Sequence, residues 1–390
     1  MAREPPMLRL PAFLAARLNA GHPWIYRDHL PSGFRAESGA WLQIAAGDFS
    51  GYALYDARSP IALRIFSRKQ LPDQAWVQKR VREALELRTL LRGPGTNAFR
   101  ALFGEADYLP GVTADVYDRY VALVTYADSL DVVLPWVCQA LREELALDGI
   151  VRRRRRADTA GEARSEVLWG ELPPPFVVLE NSMKLEVDLA LGQKTGLYLD
   201  QRDNRKFVRG LSRGRRVLNL FSYTGAFSVA AALGGALQVT SVDSAAAASE
   251  AASRNFELNG FDPRAHEFHA EDAFEFLERA DGRRFELVIA DPPSFAGSKA
   301  QLKRALRAYT RLHTLCLRVT TPGGLYAAAS CTAQVSPEAF RETLAQAAAS
   351  AGVELTVVHD AGHALDHPIR AGHLEGRYLK FMVCRAVPRV

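Results

Sequence analysis

From about residue 191 onward the chain alternates apolar strand-like runs with helical ones, and this regularity constrains the fold more than any other feature. "RVLNLF" and "QVTSVD" read as strands, each followed by a helical stretch, "AFSVAAAL" and "AAAASEAASRNFELNG". The alternation continues through "AHEFHAED", "DAFEFLERA", "FELVIAD", "KRALRAYTRLHTLCLRV", "GGLYAAAS" and "PEAFRETLAQAAASAG". Strands joined by crossover helices pair in parallel with helices over both faces, so a doubly wound α/β sheet is expected. The last two strands, "VELTVVHD" and "YLKFMVCRA", have no helix between them, so the seventh is expected to enter antiparallel. That departs from a dinucleotide-binding domain.

The preceding sequence is organised differently. Residues 1–72 carry short alternating strands with Gly and "DAR" punctuation, "AWLQIAAGDFSGYALYD" and "SPIALRIFS", and read as a small β-rich domain. Residues 73–190 open with a helix, "DQAWVQKRVREALELRTLL", and continue as a small α+β domain whose first hairpin turns at Asp118-Arg119. Residues 191–390 form the alternating domain. A chain of 390 residues, 48% hydrophobic, is long enough for such a division. No apolar run reaches the roughly 18–20 residues that span a bilayer. The start of the chain has charges among its apolar residues and does not read as a signal peptide. Four scattered cysteines, Cys138, Cys316, Cys331 and Cys384, lack metal-ligand spacing, which argues for a reducing, cytoplasmic compartment, no disulfide framework and no metal. A net charge of +5 carried mostly by arginine suits phosphate and hence RNA as a partner. The run Arg152–Arg156 is a candidate phosphate contact; a solvated edge strand is the competing reading. A homodimer is left open.

In an open α/β sheet the ligand sits beyond the carboxyl ends of the strands. The first ends in "NLFSYTGAF", where Gly225 lets backbone approach a ligand ahead of a helix. The second ends in Asp243, placed to accept ribose hydroxyls, and the third leads to Asp272-Ala273, where the carboxylate can accept from an adenine amino group or cap the next helix. Together these ends describe a pocket for S-adenosylmethionine. The fourth strand ends in "ADPPSF", in which Asp291 precedes two prolines that hold the backbone extended. The fifth ends in Ser330-Cys331-Thr332. Cysteine is commonly an inert core residue, and Cys138, Cys316 and Cys384 fit that reading, but Cys331 stands at a carboxyl end beside the Asp291 loop.

"LGQKTGLYLDQRDNR", "NLFSYTGAF", "DPPSF" and "SCT", in this order, resemble the RlmI-like family of S-adenosylmethionine-dependent 23S rRNA methyltransferases that form 5-methylcytidine, and the likeness covers nearly the whole chain. The resemblance implies a PUA-like RNA-binding domain at the front, carried by "GHPWIYRDHL", a middle domain, and a seven-stranded class I methyltransferase sheet. It implies that Thr195, Gly196, Asp200 and Arg202 neighbour the cofactor, together with Phe221, Ser222, Tyr223, Thr224, Gly225, Asp243, Asp272, Ala273 and Asp291. It further implies Cys331 as a nucleophile.

Cytosine C5 is a poor nucleophile until a thiolate adds to C6, so this chemistry needs a thiol of lowered pKa and a group at the N3 edge. Cys331 and Asp291 are the expected pair. Asp366, His367 or water could take the C5 proton; the slot after the strand-four Asp-Pro, where other RNA cytosine methyltransferases carry a second cysteine, reads Pro293. Two rivals remain open: methylation of another base or position, such as adenine N6 or guanine, and a non-catalytic RNA-binding assembly factor.

Overall fold

The structure, a computed structural model, describes residues 4–91, 95–153, 165–190, 195–280 and 282–389. The chain divides into two compact units that are not contiguous in sequence: Met1–Val178, Val187–Leu199 and Leu365–Gly376 make the first, and the rest makes the second. No helix of the described residues is long and apolar enough to cross a membrane.

The first unit holds two sheets. Strands β1 (Met7–Arg9), β2 (Trp24–Tyr26), β3 (Trp41–Ala46), β4 (Phe49–Tyr55) and β5 (Ile61–Ser67) align in the order β1-β3-β4-β5-β2, with helix α1 (Ala15–Asn19) alongside. Burial alternates along β3, as expected of a sheet with one face packed, and Leu8, Ile25, Ile44 and Leu63 fill the core. Helix α2 (Gln74–Leu91) then leads into β6 (Ala98–Phe103), β7 (Val112–Tyr117), β8 (Tyr120–Thr125), helix α3 (Leu134–Glu144), β9 (Gly149–Arg153) and β10 (Ser165–Gly170). These strands order β10-β9-β8-β7-β6. Trp76, Val77 and Val81 of α2 and Val137 of α3 share one core with Phe99, Val112 and Leu123. The β7–β8 turn is made by Asp118, in the left-handed region at φ 56°, and Arg119, as read from sequence.

The run at Arg152–Arg156 does not supply the expected phosphate contact where it is described. Arg152 pairs with Asp131 at 2.7 Å and donates to Thr125, while Arg153 is buried and donates to Ser165 and to the carbonyls of Leu189 and Ala190. Their strand is internal to the sheet, so the edge reading fails as well. Arg154, Arg155 and Arg156 lie outside the described residues.

A hairpin of β11 (Phe176–Glu180) and β12 (Met183–Val187), turned by Asn181 and Ser182 at φ 48° and 64°, carries the chain toward the second unit. There α4 (Arg202–Leu211), β13 (Arg216–Leu220), α5 (Ala226–Leu233), β14 (Gln238–Asp243), α6 (Ala246–Leu258), β15 (Glu267–Ala270) and α7 (Ala273–Arg279) follow in turn. They are succeeded by β16 (Phe285–Ala290), α8 (Leu302–Val319), β17 (Thr320–Ser330), α9 (Pro337–Ala351), β18 (Val353–Ala361) and β19 (Lys380–Pro388). The seven strands order β15-β14-β13-β16-β17-β19-β18, and β19 runs antiparallel to both neighbours while the others are parallel. The doubly wound α/β sheet read from the sequence is therefore the one observed. Helices α7, α8 and α9 cover one face, where Phe276, Leu312, Phe340 and Leu344 pack on Leu218, Val288 and Tyr326. The order in which strands are added reverses between the parallel neighbours β13 and β16, which opens a crevice at their carboxyl ends.

A buried ion pair ties the hairpin tip to α4. Arg205 donates through Nε and Nη2 to both carboxylate oxygens of Glu180, at 2.7 and 2.5 Å, with both side chains nearly inaccessible. Removing one partner of such a pair strands the other without water. Glu180→Ala is expected to cost about 3–5 kcal/mol in urea unfolding. Loss of the exposed Arg216–Glu286 pair through Arg216→Ala should cost about 1 kcal/mol or less. Equal costs would refute the assignment of Glu180–Arg205 as the buried anchor.

Candidate active site

The loop after β13 is strained. Phe221, Tyr223 and Gly225 all have positive φ, at 57°, 48° and 77°, and two of the three are not glycine. Such backbone persists only where the surroundings hold it, and it is concentrated at ligand sites. Here the hold is specific. Ser222 N–H donates to the Val242 carbonyl at 3.0 Å, and Tyr223 N–H to Asp243 Oδ2 at 2.8 Å. Asp243, the last residue of β14, also accepts from Ala245 N–H through Oδ1 at 3.0 Å. Its carboxylate thereby fixes the loop and stands half-buried at the crevice. The hydroxyls of Ser222 and Thr224 are buried with no hydrogen-bond partner among the described residues. Two orphaned donors, a carboxylate and a held-open loop at a helix start suit an adenosine-bearing ligand with ribose hydroxyls.

Asp272 takes the capping role that the sequence left open: its Oδ1 accepts from Phe274 and Glu275 N–H at the start of α7, and Ala273 beside it is buried. Strand β15 stops at Ala270, so the carboxylate sits beyond it on the exposed first turn.

Asp291 follows β16 directly and is half-buried. Gln201 Nε2 donates to its Oδ2 at 2.9 Å, and the Gln201 amide is itself oriented by Asn204, whose Nδ2 donates to Gln201 Oε1 at 2.6 Å and to the Gly362 carbonyl at 3.1 Å. Asp200 and Arg202, flanking Gln201, are buried; Tyr378 donates to Asp200 Oδ2 at 2.6 Å. Thr195 and Gly196 belong to the first unit, where Thr195 joins a buried cluster with Asp115 and Tyr117 at 2.6 and 2.9 Å. Asp366 and His367 also lie in the first unit. Both are buried, His367 Nδ1 meets Asp366 Oδ1 at 2.8 Å, and Asp366 Oδ2 accepts from Arg100 N–H at 2.9 Å. These contacts of the pair lie within the first unit.

Cys331 follows the end of β17 and is partly exposed, whereas Cys316 and Cys384 are buried and burial pushes their thiols up to about 12. Cys138, in the first unit, is pushed up to about 11 by burial. The two residues around Cys331 are pinned. Ser330 Oγ donates to Tyr309 Oη at 2.9 Å, Tyr309 Oη meets Thr332 Oγ1 at 2.8 Å, and Thr332 Oγ1 donates to Ser294 at 3.2 Å. Ser294 belongs to the Asp-Pro-Pro-Ser-Phe loop, so the carboxyl ends of β16 and β17 are joined through hydroxyls.

Sequence reasoning missed the cation in this cluster. Lys380, the first residue of β19, pairs across the sheet with Ser330, and its Nζ donates to the carbonyls of Thr332 and Tyr378 at 2.7 and 2.8 Å. Burial pushes Lys380 down to about 8, while negative charge at Cys331 favours its protonated form. The available signal was a lysine opening a strand whose next four residues, Phe381 to Cys384, are apolar. Gln201 gave no such signal.

The first unit contributes a cavity of about 610 Å³ lined by cations and rings together, among them Arg68, Lys69, Arg80, Arg370, Trp76 and Tyr108. Arg370 lies over the Tyr108 ring at 4.6 Å and Arg80 over Trp76 at 5.4 Å.

A family model for S-adenosylmethionine-dependent methyltransferases matches residues 130–360, and one for a PUA-like domain matches residues 8–68. A curated relative from Yersinia pestis, ribosomal RNA large subunit methyltransferase I, is 36% identical over 386 residues, 94% of this chain and 96% of its own. The chain belongs to this methyltransferase family. Its fold is shared with a protein of Streptococcus mutans described as a SAM-dependent methyltransferase, at a TM-score of 0.85 and 25% identity, over 97% of this chain and 100% of that one. A second solved methyltransferase, complexed with S-adenosylhomocysteine, aligns with a TM-score of 0.86 at 25% identity over the same shares. The cofactor is S-adenosylmethionine, and the β-rich front domain is PUA-like, as the sequence implied.

Within the methyltransferase unit, Gly225 has no room for a side chain: a Cβ there would sit 2.7 Å from that of Ala252. Gly260 also has positive φ, at 81°, but faces open space. Gly225→Ala is expected to lower stability by about 1–3 kcal/mol, clearly more than Gly260→Ala, and to weaken S-adenosylhomocysteine binding measured by calorimetry. Equal stability losses with unchanged affinity would refute the close packing of this loop.

Proposed function

We propose that the protein methylates C5 of a cytosine in large-subunit ribosomal RNA through a covalent adduct to Cys331. The observation that carries this reading is the position of that thiol. It is partly exposed at the carboxyl end of β17, beside the Asp291 loop, and a buried lysine stands next to it. An amino-directed methyltransferase has no use for a nucleophile there. The ribosomal RNA substrate is supported by the relative's identity and by the basic, ring-lined cavity of the first unit, where bases can stack and phosphates pair.

S-adenosylmethionine, when bound, supplies an electrophilic methyl group; the strained loop at 221–225 with its two unpaired hydroxyls, and Asp243, would hold it. Cys331 Sγ, as thiolate, adds to C6 of the base, and the displaced π pair makes C5 enamine-like and able to take the methyl. Asp291, aimed by Gln201, engages the N3/N4 edge of the base. Release of the C5 proton to water returns the electron pair, restores the aromatic ring and expels the Cys331 thiolate. Lys380 acts as a positioning residue: its cation favours that thiolate, and its bonds hold the Thr332 carbonyl in place.

Incubation with cofactor and a 5-fluorocytidine-substituted ribosomal RNA fragment should yield a denaturation-resistant complex with the wild type and none with Cys331→Ala. Undiminished methylation by Cys331→Ala would instead establish another target atom. The lysine has its own readout. Lys380→Met should raise the midpoint of the pH profile for iodoacetamide alkylation of Cys331 by about one unit, and Lys380→Arg should restore it. An unmoved midpoint in Lys380→Met would leave the lysine a purely structural role.

A further inference from the structure

We propose that His22, His373 and Glu375 of the first unit form a site for a divalent transition-metal ion of the zinc class, separate from the methyl-transfer chemistry. His22 lies between α1 and β2, and the other two lie in the segment 365–376. One ligating atom from each falls within 4.8 Å of the others. His22 Nε2 is 3.1 Å from Glu375 Oε1, and His373 Nε2 is 3.9 Å from Oε2. Ligands about 2.1 Å from a tetrahedral zinc lie about 3.4 Å apart, so only small side-chain adjustments separate this cluster from a coordination shell.

Two features go beyond proximity. His373 Nε2 is buried and has no hydrogen-bond partner among the described residues, although a buried ring nitrogen left unpaired is costly. His22 Nδ1 lies 3.2 Å from both the carbonyl and the N–H of Trp24, so the Trp24 backbone holds the ring while Nε2 faces Glu375. The Trp24 ring packs against His373 at 4.3 Å and against His22 at 5.9 Å, holding both imidazoles in their planes. Two imidazoles and one carboxylate are a donor set suited to zinc or cobalt.

Arg17 occupies the open side. Its Nη2 lies 2.5 Å from His22 Nε2 and 2.9 Å from Glu375 Oε1, and the side chain is 44% exposed. Arg17 thus supplies at this point the positive charge that an ion would supply, and the two are mutually exclusive. The bound ion would staple the segment 365–376 to the PUA-like sheet.

The test is a titration of the full-length, chelator-treated protein with cobalt(II), followed by displacement with zinc(II). One equivalent of cobalt should give visible d–d bands without thiolate charge-transfer absorption, and zinc should bleach them. Glu375→Gln, an isosteric change at a side chain 42% exposed, should weaken binding by about tenfold or more. His373→Ala should abolish the bands, and Arg17→Ala should tighten binding. The site is refuted if Glu375→Gln binds as tightly as the wild type, or if the cobalt spectrum shows thiolate ligation. Neither readout depends on methyl transfer, so the reaction and this site stand or fall separately.

Discussion

The antiparallel entry of β19 between β17 and β18 is the constraint on which the candidate site depends. Because β19 runs against β17, its first residue meets the last residue of β17, and the Ser330–Lys380 pairing follows. A parallel strand in the same place would have carried that lysine to the amino ends of the strands. The antiparallel strand brings a buried cation to the Cys331 turn with two backbone carbonyls to hold it. The register that builds the sheet thereby fixes the electrostatics beside the thiol.

The second constraint is a division of labour among polar groups. At the carboxyl ends of β16 and β17 hydroxyls bond to hydroxyls, and Tyr309 mediates between Ser330 and Thr332. At the end of β13 the strain in Phe221 and Tyr223 is balanced by bonds from the Ser222 and Tyr223 N–H groups to β14. A network with every partner supplied rigidifies its surroundings. The partnerless hydroxyls of Ser222 and Thr224 stand out against that background.

The sheet was legible because its signal is local. Each strand is an apolar run, each helix has its own periodicity, and strand ends can be read one at a time. The loops at Phe221–Gly225, Asp243, Asp291 and Cys331 followed from that reading. Lys380 did not, since its importance arises from pairing with Ser330, fifty positions earlier in the chain. Gln201 was hidden for the same reason: its partner Asp291 is contributed by another strand end. The arginine run misled in the opposite direction. A string of like charges suggests a solvated or phosphate-facing surface, but Arg153 is drawn inward by the Leu189 and Ala190 carbonyls. Sequence also placed 365–376 with its neighbours, whereas Asp366 is bound to Arg88 and Arg100.

That last arrangement bears on how the chain is made. Arg88 is fully buried and divides its donors between Asp107 and the carbonyl of Asp366, and the Arg100 amide rests on the Asp366 carboxylate. A ribosome has already released most of the chain before it reaches residue 366. The surroundings of Arg88 and Arg100 in the first unit are therefore completed late, by the segment 365–376. The bonds from Arg88 and Arg100 to Asp366 form only after nearly all of the second unit has been synthesised. A truncation near residue 360 therefore removes the partner of Arg88 and of the Arg100 amide as well as the last strand of the sheet.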